Sequence, residues 1–307
     1  MSEVLYVIAG PTASGKTAVA VELAKKTGGE VVSADSMQVY RGLNIGTAKP
    51  TTEEMASIPH HLLSVVEPNE AFSAAEFQSR AVTIIRDIFS RGKTPILTGG
   101  TGFYINAVLY GAEFSSENTR EDELREIFAA EAAQHGAEFL HAKLMERDPA
   151  YAITLHANNV KRVARALAYC QATGALFSDY NKAQRAKQAV PLFRTKFAVL
   201  SAPRELLYAR INARTISMFE AGFVDEVRNL LAKGYPKGLA AMSGIGYKEI
   251  VQFIEGYLTE SEAIVAIQQA TRNYAKRQET WFRNQVKNAR VFCIQNKTAE
   301  ELAEEIL

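Results

Sequence analysis

A glycine-rich stretch near the start of the chain has the residue types and spacing of a phosphate-binding loop, G-x-x-x-x-G-K-[ST]. Its eight residues are Gly10, Pro11, Thr12, Ala13, Ser14, Gly15, Lys16 and Thr17. Glycine permits a tight loop whose backbone N–H groups point at phosphate oxygens, and the start of the next helix adds partial positive charge. Lys16 would lie on the terminal phosphate, and the Thr17 hydroxyl would be a ligand of Mg²⁺. A plain glycine turn is the alternative, but the apolar strand before the stretch and the helix pattern after it are the context that the phosphate-binding motif requires.

The chemistry done on the phosphates depends on the residues that come after a later strand. ATPases and GTPases with this loop hold Mg²⁺ with a second acidic residue after an apolar strand. The corresponding stretch here, Leu97-Thr-Gly-Gly-Thr-Gly102, contains no carboxylate. Ordinary nucleotide hydrolysis is therefore disfavoured, and a small-molecule or nucleoside kinase is the alternative function. The glycines predict a close backbone approach to a ligand, with Thr101 offering a hydroxyl, although a flexible turn would have the same composition.

A carboxylate, Asp35, follows the second predicted strand. In an open α/β sheet, ligands bind beyond the carboxyl ends of the strands, so Asp35 would face the phosphate-binding loop across a crevice. There it could accept a proton from an incoming nucleophile. An aspartate that caps the next loop is an equally good interpretation, because caps are a common place for this residue type. The sequence position leaves both roles open.

The elements that must position these residues alternate between strands and helices. Apolar runs typical of buried strands lie at Val4–Ala9, Glu30–Ser33, Thr94–Thr98 and Lys196–Ser201. Helical patterns lie at Lys16–Lys26, after the capping signature of Ser73 and Glu76, at Glu121–Arg147, at Asn159–Thr173 and from the capping signature of Thr259 and Glu262 onward. This alternation predicts an α/β fold with a P-loop-type parallel sheet flanked by helices.

The strand signal disappears in the middle of the chain, which predicts an inserted helical domain. We expect residues 1–112 to form the first part of the α/β core and residues 113–195 the helical insertion, which ends in a polar stretch leading to Pro191. Residues 196–307 would form the second part of the core with the C-terminal helices.

The composition is that of an ordinary globular protein, with 47% hydrophobic and 22% charged residues. The net charge of +1 gives no global attraction to nucleic acid, so any basic surface must be local. Cys170 and Cys293 lack metal-ligand spacing, which argues against a disulfide scaffold or a zinc site. Apolar runs are far shorter than the roughly 20 residues of a membrane span. We expect a soluble, cytoplasmic protein without a signal peptide.

A local basic surface is predicted late in the chain. The residues whose spacing places them on one side of a helix are Arg272, Lys276, Arg283, Lys287 and Arg290. With Tyr274 and Trp281 between them, such a face suits an RNA backbone and its loop bases, although a solvated face with buried aromatics is the simpler interpretation. A second basic patch, in the insertion, consists of Lys161, Arg162 and Arg165.

Seven short motifs run in order across nearly the whole chain. They are Gly10-Pro-Thr-Ala-Ser-Gly-Lys-Thr17, Asp35-Ser-Met-Gln-Val-Tyr-Arg41, Ile45-Gly-Thr-Ala-Lys49, Gly99-Gly-Thr-Gly-Phe-Tyr104, Asn158-Asn-Val-Lys-Arg162, Gly244-Ile-Gly-Tyr-Lys248 and Lys276-Arg-Gln-Glu-Thr-Trp281. This colinear set resembles the tRNA dimethylallyltransferases, also called isopentenylpyrophosphate:tRNA transferases. The set is far more specific than any one of its motifs.

The resemblance implies transfer of a dimethylallyl group from dimethylallyl pyrophosphate to the exocyclic amine of the tRNA adenosine immediately 3′ of the anticodon. It implies that Asp35 is the general base, that Thr101 and Arg214 also belong to the catalytic centre, and that Thr12, Lys16 and Arg214 bind the pyrophosphate. The implied cofactor is Mg²⁺ and the implied partner is the anticodon stem-loop of tRNA. We expect a monomer with no membrane association.

The resemblance also implies tRNA-binding positions in both predicted domains. They are Asp35, Ser36, Met37, Gln38, Thr101, Arg125, Asn159, Val160, Lys161, Arg162, Val163, Ser243, Gly244, Ile245, Gly246, Tyr247, Lys248, Lys276, Arg277, Gln278, Trp281 and Arg283. Two of them depart from the family pattern: Asn159 stands where an Asp is common, and Ser243 where an Arg or a Met-like residue is common.

Overall fold

The computed structural model describes residues 3–111, 119–187, 191–286 and 289–307. They form two compact units, one of Met1–Leu109 with Pro191–Leu307 and one of Tyr110–Val190. The expected boundary at residue 113, and Lys287 of the predicted basic face, lie outside the described residues. Among the helices of the described ranges, none has both the length and the apolar character needed to cross a membrane.

A single parallel sheet forms the centre of the larger unit. In the described part of the chain its strands are β1 (Leu5–Ala9), β2 (Glu30–Ser33), β3 (His60–His61), β4 (Pro95–Gly99), β5 (Thr195–Ser201) and β6 (Arg290–Cys293). They follow the order β3-β2-β4-β1-β5-β6, and every pair of neighbours is parallel. Helices pack on the sheet, so the predicted α/β class is confirmed.

Helices make up most of the rest of the described chain. In chain order they are α1 (Lys16–Thr27), α2 (Thr52–Met55), α3 (Ala74–Ser90), α4 (Gly102–Tyr110), α5 (Thr119–His135), α6 (Ala137–Arg147), α7 (Pro149–Ala152), α8 (Val160–Thr173), α9 (Phe177–Lys187), α10 (Arg204–Glu220), α11 (Phe223–Ala232), α12 (Tyr247–Ile254), α13 (Glu260–Gln285) and α14 (Ala299–Ile306). The predicted capping box of Thr259 and Glu262 begins α13. At α3, Ser73 accepts the backbone N–H of Glu76, which is half of the predicted box.

The register of the central strands sets the place of the site. β1 lies between β4 and β5, with Ala9 opposite Gly99 and Val199. All five residues of β1 and all five of β4 are buried, as expected where helices cover both faces of a parallel sheet. The loops that leave these two strands at their carboxyl ends are therefore neighbours.

The edge strands β3 and β6 were not predicted. β3 has two residues, and β6 leaves Val291 67% exposed, so neither presents a buried apolar run. β6 also corrects the predicted basic face. Helix α13 ends at Gln285, and Arg290 lies on β6, paired with Ala198 of β5. The prediction that Arg290 continues the helical face is wrong, because the chain turns back there to complete the sheet.

The smaller unit consists of helices α5 to α9 around its own core, in which Leu140, Leu144 and Val163 are fully buried. The predicted helix Glu121–Arg147 is two helices, because Gly136 at φ 95° separates α5 from α6. The polar stretch before Pro191 contains α9, which was not predicted. Its first residue, Phe177, packs against Tyr151 and Tyr169, and this tertiary contact is not visible in the local sequence pattern.

Candidate active site

The phosphate-binding motif forms the loop between β1 and α1. Its sharp path needs positive φ at Ala13 (64°) and Gly15 (79°). At Gly10 a Cβ atom would lie 2.6 Å from the backbone oxygen of Leu200, so a larger residue would push β1 and β5 apart. Ala13 is buried against Ile211 of α10 and Ala275 of α13, which fixes the loop to both helices.

Lys16 lies in the crevice beside this loop, where its Nζ donates a 2.7 Å hydrogen bond to the backbone oxygen of Pro11. Burial lowers the pKa of Lys16 to about 8; Asp35 opposes this shift and Arg214 adds to it. Lys16, Asp35 and Arg214 all line this crevice. A half-buried lysine next to a phosphate-binding loop is suited to an incoming anion.

The residues present fit a metal ion that arrives with phosphate. No group of three or more His, Cys, Asp or Glu residues in the described ranges could hold a metal by itself. Thr17, however, lines the crevice next to Lys16. Mg²⁺ is commonly bound by one or two protein oxygens together with substrate phosphates, so a carboxylate cluster is not required.

The loops after β2 and β4 are bonded to each other. The Thr101 N–H donates to the Ala34 oxygen at 3.2 Å, and the Ser36 N–H donates to Thr101 Oγ1 at 3.2 Å. A Cβ atom at Gly99 would lie 2.1 Å from the Ala34 oxygen. A close backbone approach was predicted at these glycines. At Gly99 the backbone approaches the neighbouring loop of the protein, the one after β2.

Asp35 has features of both predicted roles. Its Oδ1 accepts the backbone N–H groups of Met37 at 2.9 Å and Gln38 at 3.3 Å, which is a loop cap. The half-buried carboxylate also lines the crevice opposite Lys16. One oxygen can therefore organise the loop while the carboxylate faces the ligand space.

The crevice has two lobes, which we call the loop lobe and the apolar lobe. The loop lobe, of about 610 Å³, is lined by Lys16, Thr17 and other residues at the carboxyl ends of the strands. The apolar lobe, of about 330 Å³, is lined by residues that include Met37, Ile211, Met218, Phe223, Ile245 and Ile267. Thr12, Asp35, Arg214 and Tyr274 line both lobes, so they lie where the lobes meet.

Arg214 and Tyr274 reach this junction from α10 and α13. Arg214 is solvent-accessible within the crevice, but nearby protein atoms displace part of its hydration and lower its pKa; Glu54 opposes this shift and Arg210 adds to it. Arg210 is exposed and does not line either lobe. Burial raises the pKa of Tyr274 to about 12, and Asp35 adds to the shift, while hydrogen bonds with Thr101 and Gln278 oppose it. The sequence indicated Tyr274 only as an aromatic between basic residues.

The loop of residues 44–49, which lines both lobes, is held by a residue that the sequence did not single out. Glu226 of α11 accepts the backbone N–H groups of Asn44, Ile45 and Gly46 at 2.9, 2.7 and 3.2 Å. Gln38 donates to the backbone oxygens of residues 47 and 48, each at 3.2 Å. The motif Ile45–Lys49 was the available signal for this loop, but nothing in it indicates Glu226.

The inward face of α13 carries two of the predicted tRNA-binding residues. Gln278 is 5% exposed and bonds to the loops after β1 and β4. The ring of Trp281 packs on Gly102, where a Cβ atom would lie 2.2 Å from it. Tyr247, also predicted to contact tRNA, is 1% exposed and packs edge-on against Phe223. These side chains support the site from inside the protein.

Other predicted tRNA-binding residues are exposed on the larger unit. They are Ser243, Lys248, Lys276, Arg277 and Arg283. Ser36, Met37, Gly244, Ile245, Gly246 and Arg277 also line the apolar lobe. The structure thus brings the segments around Asp35, Gly244 and Arg277 together, although they are distant in the sequence. Lys276 lies over the Tyr208 ring of α10, 5.8 Å from its centroid.

The remaining predicted residues belong to the smaller unit. Lys161 and Arg162 are exposed in the first turn of α8, whose N-cap is Asn159 and whose first residue is Val160. Val163, by contrast, is buried in the core of that unit. Arg125 bonds to Glu121 and, at 2.8 Å, to Asp122 within α5.

Comparison with known families identifies the chain. A family model described as IPP transferase matches residues 38–285. The chain belongs to the IPP transferase family. The matched region begins after Asp35, so it includes neither the phosphate-binding loop nor this carboxylate. Both are identified from the sequence motif and from the geometry of the crevice.

Relatives of this IPP transferase align over 96% to 100% of the chain. A curated tRNA dimethylallyltransferase of Alkaliphilus oremlandii is 44% identical over 100% of this chain and 97% of its own length. A solved tRNA isopentenylpyrophosphate transferase from Bacillus halodurans is 40% identical, with a TM-score of 0.74 over 99% of this chain and 94% of that one. A eukaryotic dimethylallyltransferase described as acting on tRNA is 27% identical, with a TM-score of 0.79 over 96% of this chain and 75% of that one.

Proposed function

We propose that this chain transfers the dimethylallyl group of dimethylallyl pyrophosphate to the exocyclic amine of the tRNA adenosine immediately 3′ of the anticodon, with release of pyrophosphate. The observation that carries the proposal is the convergence of Lys16, Arg214 and Asp35 on one crevice that continues into an apolar lobe. Membership of the IPP transferase family and the names of the relatives support the same activity.

The donor side of the site is suited to a pyrophosphate leaving group. An allylic carbon separates readily from pyrophosphate when the negative charge of the leaving group is neutralised. The backbone N–H groups of the loop, Lys16, Arg214 and the hydroxyl of Thr12 would supply that neutralisation. Mg²⁺ held by Thr17 and the donor's phosphates would add positive charge at the same place. The apolar lobe next to Asp35 would exclude water from the allyl group.

The acceptor side needs a base, because an exocyclic adenine amine is a weak nucleophile. We assign this role to Asp35, whose Oδ1 is held by the loop N–H groups and whose Oδ2 would take the proton. Thr101 would hold the Asp35 loop in place through Ser36. The target base must leave the anticodon-loop stack to reach the carboxylate.

Exposed basic residues would bind the tRNA backbone. On the larger unit these are Lys248, Lys276, Arg277 and Arg283, and on the smaller unit Lys161 and Arg162. The family membership supports prenyl transfer and not the alternative of a kinase that uses the same loop on ATP. We propose that ATP, if it enters the loop lobe, is a competitor of the donor, since backbone N–H groups recognise phosphates without regard to what carries them.

Mass analysis of tRNA tests the proposal directly. Bulk tRNA incubated with the protein, Mg²⁺ and dimethylallyl pyrophosphate should contain adenosine that is heavier by one isoprene unit, located next to the anticodon, and equimolar pyrophosphate should be released. The matched control is Lys16→Met, which keeps the volume of the side chain but removes its charge. Unmodified tRNA with the wild-type protein, or sustained ADP release from ATP without tRNA, would contradict prenyl transfer and favour the kinase.

A further inference from the structure

Gln278 connects the two glycine-rich loops of the site from underneath. Its Oε1 accepts the backbone N–H of Thr12 at 2.8 Å, and its Nε2 donates to the backbone oxygen of Gly100 at 2.9 Å. Thr12 belongs to the loop after β1, and Gly100 follows β4, the strand paired with β1. One amide group of α13 thus sets the spacing between the two loops.

The environment of Gln278 indicates a role inside the protein. The side chain is 5% exposed, and both ends of its amide have backbone partners. A Cβ atom at Gly100 would lie 2.1 Å from Nε2, so the loop must have glycine there for the amide to fit. The residues next to it, Lys276 and Arg277, are exposed instead. Gln278 is therefore poorly placed to contact RNA, which differs from the expectation based on the resemblance.

We propose that Gln278 is a positioning residue for the pyrophosphate of the donor, and this rests on the proposed function. The hydrogen bond to Gln278 occupies the N–H of Thr12, so this group is not available to a phosphate. It directs the remaining N–H groups of the loop and the Thr12 hydroxyl toward the loop lobe. The other hydrogen bond of Gln278 fixes the backbone of Gly100, whose sequence neighbour Thr101 contacts the Asp35 loop. The same side chain therefore sets the distance between the donor cradle and the proposed base.

The test compares two substitutions with a matched control on the same helix. Gln278→Met keeps the volume and removes both backbone hydrogen bonds, together with the hydrogen bond to the Tyr274 hydroxyl. Gln278→Glu keeps the acceptor for Thr12 and loses the donor to Gly100. The control is Gln268→Met, since Gln268 also lies on α13 and also donates to a backbone oxygen, that of Asn212 at 3.2 Å, but it lines neither lobe.

We expect Gln278→Met to weaken the binding of pyrophosphate about tenfold, the effect of losing buried hydrogen bonds to the cradle. The KM for dimethylallyl pyrophosphate should rise by a similar factor, and tRNA affinity measured without donor should stay within about twofold. Gln278→Glu should bind pyrophosphate poorly at neutral pH. It should recover relative to the wild type as the pH falls, because a protonated carboxyl can again donate to the Gly100 oxygen.

The outcomes separate this inference from the proposed function. A Gln278→Met protein that binds pyrophosphate as the wild type does, and loses only thermal stability as Gln268→Met does, would show a purely structural glutamine. Loss of tRNA affinity with unchanged pyrophosphate affinity would make Gln278 a tRNA contact. Either result overturns the inference while the wild type still prenylates tRNA. If Gln278→Met does not fold, the pH profile of Gln278→Glu decides. If the wild type itself prenylates no tRNA, the proposed function fails independently of these variants.

Discussion

Tyr247 Oη donates a 2.6 Å hydrogen bond to Glu226 Oε1, and the same carboxylate accepts three backbone N–H groups of residues 44–46. This relationship joins α11, α12 and the loop that lines both lobes of the crevice. The ring of Tyr247 is fully buried against Phe223, and a Cβ atom at Gly46 would lie 2.2 Å from the Phe223 ring. The wall of the crevice therefore depends on one half-buried carboxylate and the hydroxyl that bonds to it.

We expect Tyr247→Phe to lower the free energy of unfolding by about 1–3 kcal/mol, because a buried hydrogen bond to a charged group is lost while the ring is kept. The matched control is Tyr235→Phe, since the Tyr235 hydroxyl bonds to Glu67 at 3.0 Å at a more exposed site. Denaturant unfolding of the three proteins measures both effects. Equal losses of unfolding free energy in the two variants would show that the hydrogen bond to Glu226 stabilises the fold no more than the one to Glu67.

Substitutions at Asp35 separate its two roles. Asp35→Asn keeps an oxygen that can accept the N–H groups of Met37 and Gln38, so the loop cap survives while the base is lost. We expect kcat to fall by on the order of 10²–10⁴ with tRNA affinity nearly unchanged. Asp35→Ala removes both functions and should in addition lower the melting temperature. A near wild-type kcat for Asp35→Asn, together with a defective Asp35→Ala, would assign Asp35 to the cap alone.

The lowered pKa of Lys16 predicts a pH dependence of donor binding. The ammonium is charged below about pH 8 and neutral above it, so the affinity of the free enzyme for pyrophosphate should decrease as the pH rises through that value. Bound pyrophosphate stabilises the ammonium, so the titration of the complex should lie higher than that of the free enzyme. Lys16→Arg is the control, because a guanidinium stays charged throughout this range. Calorimetric titration with pyrophosphate from about pH 6 to about pH 10 measures both proteins. An identical pH dependence of pyrophosphate affinity in the wild type and Lys16→Arg would mean that a group other than Lys16 titrates.

The parts of the fold and site that could be predicted are those with a local signature. β1, β2 and β4 leave apolar runs because all of their residues are buried, and β5 because its centre, Ala198 to Leu200, is buried. The loop after β1 follows a fixed spacing. β6 leaves no such run, because an edge strand with three of its four residues exposed needs little apolar character.

The rest of the site depends on contacts between distant segments. Glu226 and Asn44 are 182 residues apart, and Gln278 and Thr12 are 266 residues apart. The sequence around a helical glutamate or glutamine does not indicate that its side chain will bond to a loop backbone. The motif around Gln278 was visible, but only the packing of α13 against α10, α12 and the loops after β1 and β4 determines which of its residues point inward.

The exposed face of α13 provides the last prediction, that Arg283 binds the tRNA backbone. Each phosphate contact releases counterions and adds roughly 0.7–0.9 to the slope of log affinity against log salt. Arg283→Ala should therefore weaken binding to all substrate tRNAs similarly, flatten the slope by about 1, and leave kcat at saturating tRNA nearly intact, because Asp35 is untouched. Arg228→Ala is the matched control, since Arg228 is also exposed and helical but pairs with Asp225 at 3.0 Å. Filter binding across salt concentrations measures both variants. An unchanged tRNA affinity and salt slope with a lower melting temperature would show that Arg283 stabilises the fold. The phosphate contacts would then be assigned to Lys161 and Arg162 of the smaller unit and tested there.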